Sequence, residues 1–285
     1  MATVLVLGAT GKTGRRVSHR LLQAGHSVRT AARSPQPPGG RNQPVHFDWS
    51  DPGSHEDALA GVEAVYIVPP AFVVDVAPPV GAFVERARRA GVARAVLLSA
   101  RGVDADDSQP LRQAELALLA SGLEAAIVRP SWFNQNFSEG VFAAGVRQGV
   151  LSAPAGDGLE PFIDAEDIAE VAATLLQRPA LGGAAYDLSG PEALSFAQAA
   201  AVIGQRLGRP VRYEDVAPAD YLAGAIAAGI PPDYAELLGV LFALIRNGAD
   251  AGPSDGVEQV LGRPARSLAA WAERELAPEA SLEAA

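Results

Sequence analysis

Thr3–Leu7 is an unbroken apolar run, and the chain then turns through Gly8-Ala9-Thr10-Gly11-Lys12-Thr13-Gly14. An amphipathic segment follows, with Val17, Leu21 and Leu22 on one helical face and Gly25 at its end. A strand apolar on both faces belongs inside a covered, parallel sheet. A glycine turn between such a strand and a helix lets backbone approach a pyrophosphate and aims the helix N-terminal N–H groups at it. The spacing is G-x-x-G-x-x-G, a variant of the dinucleotide fingerprint. An ordinary βα turn is the plain alternative. A phosphate loop of the G-x-x-x-x-G-K-[ST] kind is excluded, because it would need glycine where Val6 stands.

The following residues repeat the alternation. Strands are expected at 27–31, 44–47, 64–68, 95–98 and 125–128, with helices at about 54–60, 78–90 and 109–121 between them. Strand and helix in turn imply βαβ units. The expected fold is α/β: a Rossmann-like doubly wound parallel sheet with helices on both faces and a smaller, mostly helical C-terminal substrate-binding region. The expected division is 1–130 for the dinucleotide-binding domain and 131–285 for the substrate region, with 162–190 returning to the sheet. Within the second part, 133–145 reads as helix, 162–163 as a short strand and 165–177 as a helix. Further helices are expected at 195–207, 218–228, 233–247 and 266–275.

Composition narrows the function. The chain has 285 residues, no cysteine and a net charge of −10. Thiolate chemistry, disulfides and cysteine-ligated metals are absent by inventory, and the four histidines show no metal-ligand spacing. Acidic charge opposes binding to nucleic acid or to an anionic membrane surface. No apolar run has the length of a membrane span. The opening residues carry no signal-peptide pattern, so a cytoplasmic protein is expected.

Two positions bear on cofactor choice. The end of the second strand reads Thr30-Ala31-Ala32-Arg33-Ser34, without the carboxylate that would bind a ribose 2′-hydroxyl. Arg33 can instead pair with a 2′-phosphate, so NADP(H) is preferred and NAD(H) is possible; a solvated surface arginine is the alternative. Neither a flavin nor a metal is expected.

Together with Phe47-Asp48, the Arg129-Pro130-Ser131-Trp132-Phe133-x-x-Asn136-Phe137 stretch and Phe162-Ile163-Asp164-x-x-Asp167-Ile168-Ala169, these residues give the chain a family resemblance. It resembles the NmrA-like atypical short-chain dehydrogenases/reductases, a family of quinone, azo-dye, triphenylmethane-dye and iminium reductases that includes dinucleotide-binding regulators. The resemblance implies that Gly8, Thr10, Gly11, Lys12, Thr13 and Gly14 line the phosphates and that Arg33 meets the 2′-phosphate. It places Asp48 and Trp49 beside the adenine, and Val68, Pro69 and Pro70 along the ribose and nicotinamide. Ser99 and Arg101 would face the nicotinamide. Pro130, Trp132, Phe133 and Phe137 would floor the substrate pocket. Phe133 and Phe137 also suit a core, and Asp164 and Asp167 suit a helix cap and first turn. The acidic run Asp104, Asp106 and Asp107 reads as a solvated loop.

Lys12 is the sole lysine. The Tyr-x-x-x-Lys relay of most short-chain dehydrogenases is therefore unavailable, and no tyrosine has lysine four residues on. A reductase lacking that relay suits a small conjugated acceptor such as a quinone, azo compound, iminium ion or cationic dye, held close to the hydride donor. Candidate proton donors are Ser99, Arg101, Tyr66 and Asn136. A dinucleotide sensor without turnover and a redox-neutral isomerase or cyclase are the alternatives. A homodimer is compatible with the sequence.

Overall fold

The computed structural model describes residues 2–35, 37–178, 181, 185–249 and 251–277. The chain divides into two compact units. The first comprises Met1–Pro130, Ala165–Leu188 and Gly256–Arg263; the second comprises Ser131–Asp164, Ser189–Asp255 and Pro264–Ala285.

In the first unit the elements run β1 (Thr3–Val6), α1 (Lys12–Gln23), β2 (Ser27–Ala32), β3 (Asn42–His46), α2 (Pro52–Leu59) and β4 (Ala64–Ile67). They continue with α3 (Ala77–Arg89), β5 (Arg94–Leu98), α4 (Pro110–Leu119) and β6 (Glu124–Pro130). With strand Ala185–Leu188, the strands form one seven-stranded parallel sheet in the order β3-β2-β1-β4-β5-β6 and then 185–188. The order reverses at β1, between β2 and β4. That switch point is where open α/β sheets bind ligands, outside the carboxyl ends of their strands.

Both faces are covered, as the apolar strands require. Leu5, Leu7, Val65, Ile67, Ala95 and Leu97 pack with Phe83, Val80 and Leu118 on one side. Helix Ala165–Gln177 lies against α1 and strands β4 to β6. Arg16 and Arg20 of α1 each bond Glu166 at 2.9 Å.

The second unit is mostly helical, built on Phe196–Leu207, Pro218–Ala227, Pro232–Arg246 and Leu268–Glu275. Its core joins Phe137, Phe142, Phe162, Phe196, Phe242 and Trp271. This unit departs from the pattern expected of its sequence. Residues 133–145 form no single helix; two short ones, Asn136–Glu139 and Ala143–Arg147, flank Gly140. Residues 162–163 contribute only the isolated bridge Phe133–Ile163. Strands Val150–Ala153 and Arg212–Asp215, a parallel pair, were not anticipated. Among the described residues no helix is long and apolar enough to cross a membrane.

Candidate functional site

The glycine turn occupies the switch point. Gly8 has φ +59°, a left-handed conformation that side chains resist. The carbonyl of Gly8 accepts the Gly11 N–H at 2.8 Å, closing the turn. A Cβ on Gly14 would stand 2.2 Å from that same carbonyl oxygen, so α1 packs this close only because residue 14 is glycine. On the other side, a Cβ on Gly8 would lie 3.3 Å from the Cβ of Val68, which follows β4.

Helix α1 starts at Gly11 without a side-chain cap and without an acidic residue in its first turn. A glycine N-cap offers no side-chain oxygen to the first N–H groups. Gly8, Thr10 and Gly11 are exposed, Lys12 is half-buried, and Thr13 and Gly14 are buried beneath them. The donor set and the space left by the glycines fit a dinucleotide pyrophosphate. A cavity of about 240 Å³ flanks the turn, with Thr10, Arg15 and Ala32 among its lining residues. Asn42 also lines it and accepts the Thr30 hydroxyl at 2.8 Å. Asn42 carries no signal in the sequence, because a lone short polar residue in a strand makes no pattern.

Arg33 follows β2 directly and is exposed. Asp48 accepts the N–H and hydroxyl of Ser50 at 2.8 and 2.7 Å. Those bonds, with Arg33 and His46 nearby, hold its carboxyl below the usual range. Trp49 is half-buried and meets Phe47 and Phe83 edge to face. Val68, Pro69 and Pro70 are half-buried after β4.

At the ends of β5 and β6 the chain builds an ion network absent from the sequence reading. Glu115 of α4 is fully buried. It receives Arg129 Nε at 2.8 Å and Nη2 at 2.7 Å, Arg112 Nη1 at 2.8 Å and the Ser99 hydroxyl at 2.6 Å. Burial pushes the Glu115 carboxyl up, but the bonds from Arg129, Ser99 and Arg112 outweigh it and hold it below its usual range. Arg129 also bonds Asp104, and Arg112 bonds Asp107 at 2.8 Å. The acidic run is thus partly an anchor for two arginines rather than a purely solvated loop. A glutamate mid-helix gives no sequence signal of burial, but its i−3 neighbour Arg112 and the motif arginine were available clues.

This geometry changes the list of candidate proton donors. The Ser99 hydroxyl is already donated to Glu115, so it is a positioned group rather than a ready proton source. Tyr66 is fully buried, and burial pushes its phenol far above the usual range, which removes it as a donor to substrate. Arg101 is half-buried, and its N–H bonds the carbonyl of Pro130 at 3.2 Å. In the second unit, Asn136 is half-buried.

Among the aromatic candidates, Phe137 is corrected: it is 1% exposed and packs against Phe142, Phe162 and Trp271. It is a core residue. Trp132 is half-buried with one side on Phe242, while Phe133 is half-buried and outside the aromatic core. Asp164 and Asp167 are fully buried ion partners, of Arg274 at 2.7 Å and Arg263 at 2.8 Å respectively. Among the described residues no group of three or more metal-ligating side chains occurs.

The comparisons with known proteins agree with this architecture. An uncharacterized oxidoreductase of Bacillus subtilis is 34% identical over 270 residues, covering 94% of this chain and 93% of that protein. An NAD(P)H azoreductase of Xenophilus azovorans is 33% identical over 279 residues, covering 94% and 96%. Among solved structures, Citrobacter sp. triphenylmethane reductase complexed with NADP(H) matches with a TM-score of 0.78 at 21% identity, covering 96% of this chain and all (100%) of that one. The model of the NmrA-like family matches residues 1–274, and the chain belongs to that family.

Proposed function

We propose that the protein is an NAD(P)H-dependent reductase that delivers hydride directly to a conjugated acceptor. The observation that carries the dinucleotide half of this reading is the turn at the switch point, where Gly14 cannot bear a Cβ and α1 begins uncapped. The names of the oxidoreductase and azoreductase relatives support the redox half.

Bound NAD(P)H supplies the hydride. Gly8, Thr10, Gly11, Lys12, Thr13 and Gly14 receive the phosphates, and Arg33 pairs with the 2′-phosphate, which favours NADP(H). Asp48 and Trp49 border the adenine; Val68, Pro69, Pro70 and Pro130 border the ribose and nicotinamide. Ser99 is oriented by Glu115, and Trp132 and Phe133 offer aromatic surface to the acceptor. With Lys12 the sole lysine, the tyrosine–lysine relay is missing. An iminium or cationic dye needs hydride alone. A quinone or azo bond needs a proton as well, for which Arg101 and Asn136 are the remaining candidate side chains.

The test follows absorbance at 340 nm with purified, flavin-free protein and either NADPH or NADH. The acceptors are a quinone, an azo dye, a triphenylmethane dye and a cyclic iminium. Oxidation with one acceptor class, faster with NADPH, supports the reading. Tight cofactor binding with no oxidation across the panel transfers it to a dinucleotide sensor or a redox-neutral enzyme.

A further inference from the structure

The turn after β3 is held by a side chain that the reductase reading leaves without a role. His55 lies on α2, is 2% exposed and stacks on Phe47, with centroids 4.6 Å apart and planes 15° apart. Trp49 and Phe83 meet it edge to face. Its Nε2 stands 2.9 Å from the Asp48 carbonyl oxygen. A carbonyl only accepts, so Nε2 carries the proton and Nδ1 is bare. That Nδ1 is buried without a partner among the described residues. Burial holds the imidazole below its ordinary range, which keeps the ring neutral in this form.

Packing alone disfavours histidine here. Phenylalanine would fill the same ring space against Phe47 and Phe83 and would bury no orphaned acceptor, whose desolvation opposes folding. What the imidazole adds is one hydrogen bond, to Asp48. The same helix also holds the Asp48 N–H, through the Ser54 hydroxyl oxygen at 3.0 Å. The Asp48 carbonyl accepts the Asp51 N–H as well, at 3.1 Å, so the turn survives without His55 but loses a fixed point. Both Ser50 bonds fall on Oδ1 of Asp48, and Oδ2 has no partner among the described residues. The Ser50 bonds hold this carboxyl below its usual range, so it is ionised and can only accept.

We infer that His55 is a positioning residue for adenine recognition: its Nε2–H bond fixes the backbone of Asp48 so that Oδ2 accepts the exocyclic amine of the base. This role rests on the reading that places Asp48 and Trp49 beside the adenine.

The test measures calorimetric binding of NADP+ and of its hypoxanthine analogue, in which oxygen replaces the exocyclic amine, together with Tm. The ratio of the two affinities cancels whatever a variant does at the phosphates and the nicotinamide. Wild type is expected to prefer NADP+, and Asp48→Ala to erase the preference. His55→Phe keeps the stacked ring and removes the donor. Its Tm should hold or rise, while the preference falls by about fivefold, the scale of one hydrogen bond. His55→Gln removes the ring and keeps an N–H donor on a side chain of similar reach. Its Tm should fall, while the preference is retained. A residue that only packs would show the opposite order. A preference that survives His55→Phe, or that falls with Tm in His55→Gln, overturns the inference; where Asp48→Ala still erases the preference, the adenine reading stands without it. A wild type that binds both cofactors equally overturns the two together.

Discussion

Single atoms decide the cofactor turn. A methyl at residue 14 would overlap the Gly8 carbonyl at 2.2 Å, inside any real contact. Gly14→Ala must therefore push α1 off the sheet or open the turn. We expect Kd for NADPH to rise at least tenfold, about 1.4 kcal/mol, and Tm to fall in parallel. Fluorescence titration and a thermal melt check both, and an alanine variant with wild-type binding would refute the close-packing argument. Arg33→Ala touches no packing, because the side chain is exposed. It should raise KM for NADPH by about tenfold, within the range of a charge-assisted hydrogen bond, and leave KM for NADH unchanged. A variant that weakens both cofactors equally would place Arg33 away from the 2′-phosphate. These residues were legible in the sequence because a glycine or a missing carboxylate at a fixed distance from a strand has a local cause. Phe137 was not. A phenylalanine in a motif looks the same whether it faces a ligand or, as here, Phe142, Phe162 and Trp271.

Elements are held in register by the network around Glu115, which ties α4 to the ends of β5 and β6 through Ser99 and Arg129. Removing its charge leaves Arg129 buried with a weaker partner, so Glu115→Gln should cost about 3 kcal/mol in urea unfolding. The pH dependence follows from the direction of the shift. The folded-state carboxyl is held below the ordinary glutamate value of about 4.5, so the unfolded chain binds the proton more tightly. The carboxylate's contribution is complete above that value and is lost as pH falls toward the folded pKa. Wild type should lose stability more steeply than Glu115→Gln below about pH 4.5, and parallel acid titrations would contradict the assignment. This network was hidden from the sequence because its members lie on α4, β5 and β6 and meet only in the fold. The parallel pair Val150–Ala153 and Arg212–Asp215 was hidden for the same reason. Each strand has four residues, and Arg212–Asp215 is mostly polar, so the pairing shows no alternation until the two are brought together. The apolar strands β1, β4 and β5 stood out because burial on both faces writes a continuous run.

At the scale of the molecule, the first unit is discontinuous. Residues 1–130 supply six of seven strands, yet one face of that sheet depends on helix Ala165–Gln177, and β6 pairs with Ala185–Leu188. The helix buries Ile168, Val171, Leu175 and Leu176. At about 1.5–3 kcal/mol for each large apolar side chain, that is roughly 6–12 kcal/mol, comparable to the whole stability of an ordinary domain. The segment Gly256–Arg263 then locks the returning helix. Arg263 bonds Asp167 at 2.8 Å and also bonds Glu170, and a Cβ on Gly256 would stand 2.2 Å from the Asp187 carbonyl oxygen. A fragment ending at residue 130 should therefore lack cooperative unfolding and bind no NADPH, although it contains the entire glycine turn. Arg263→Ala in the full chain removes the ion pairs to Asp167 and Glu170 and should lower Tm while leaving the protein folded. If the 1–130 fragment instead melts cooperatively and binds the dinucleotide, the sheet closes without the returning helix, and the packing of residues 165–177 contributes far less than its buried side chains imply.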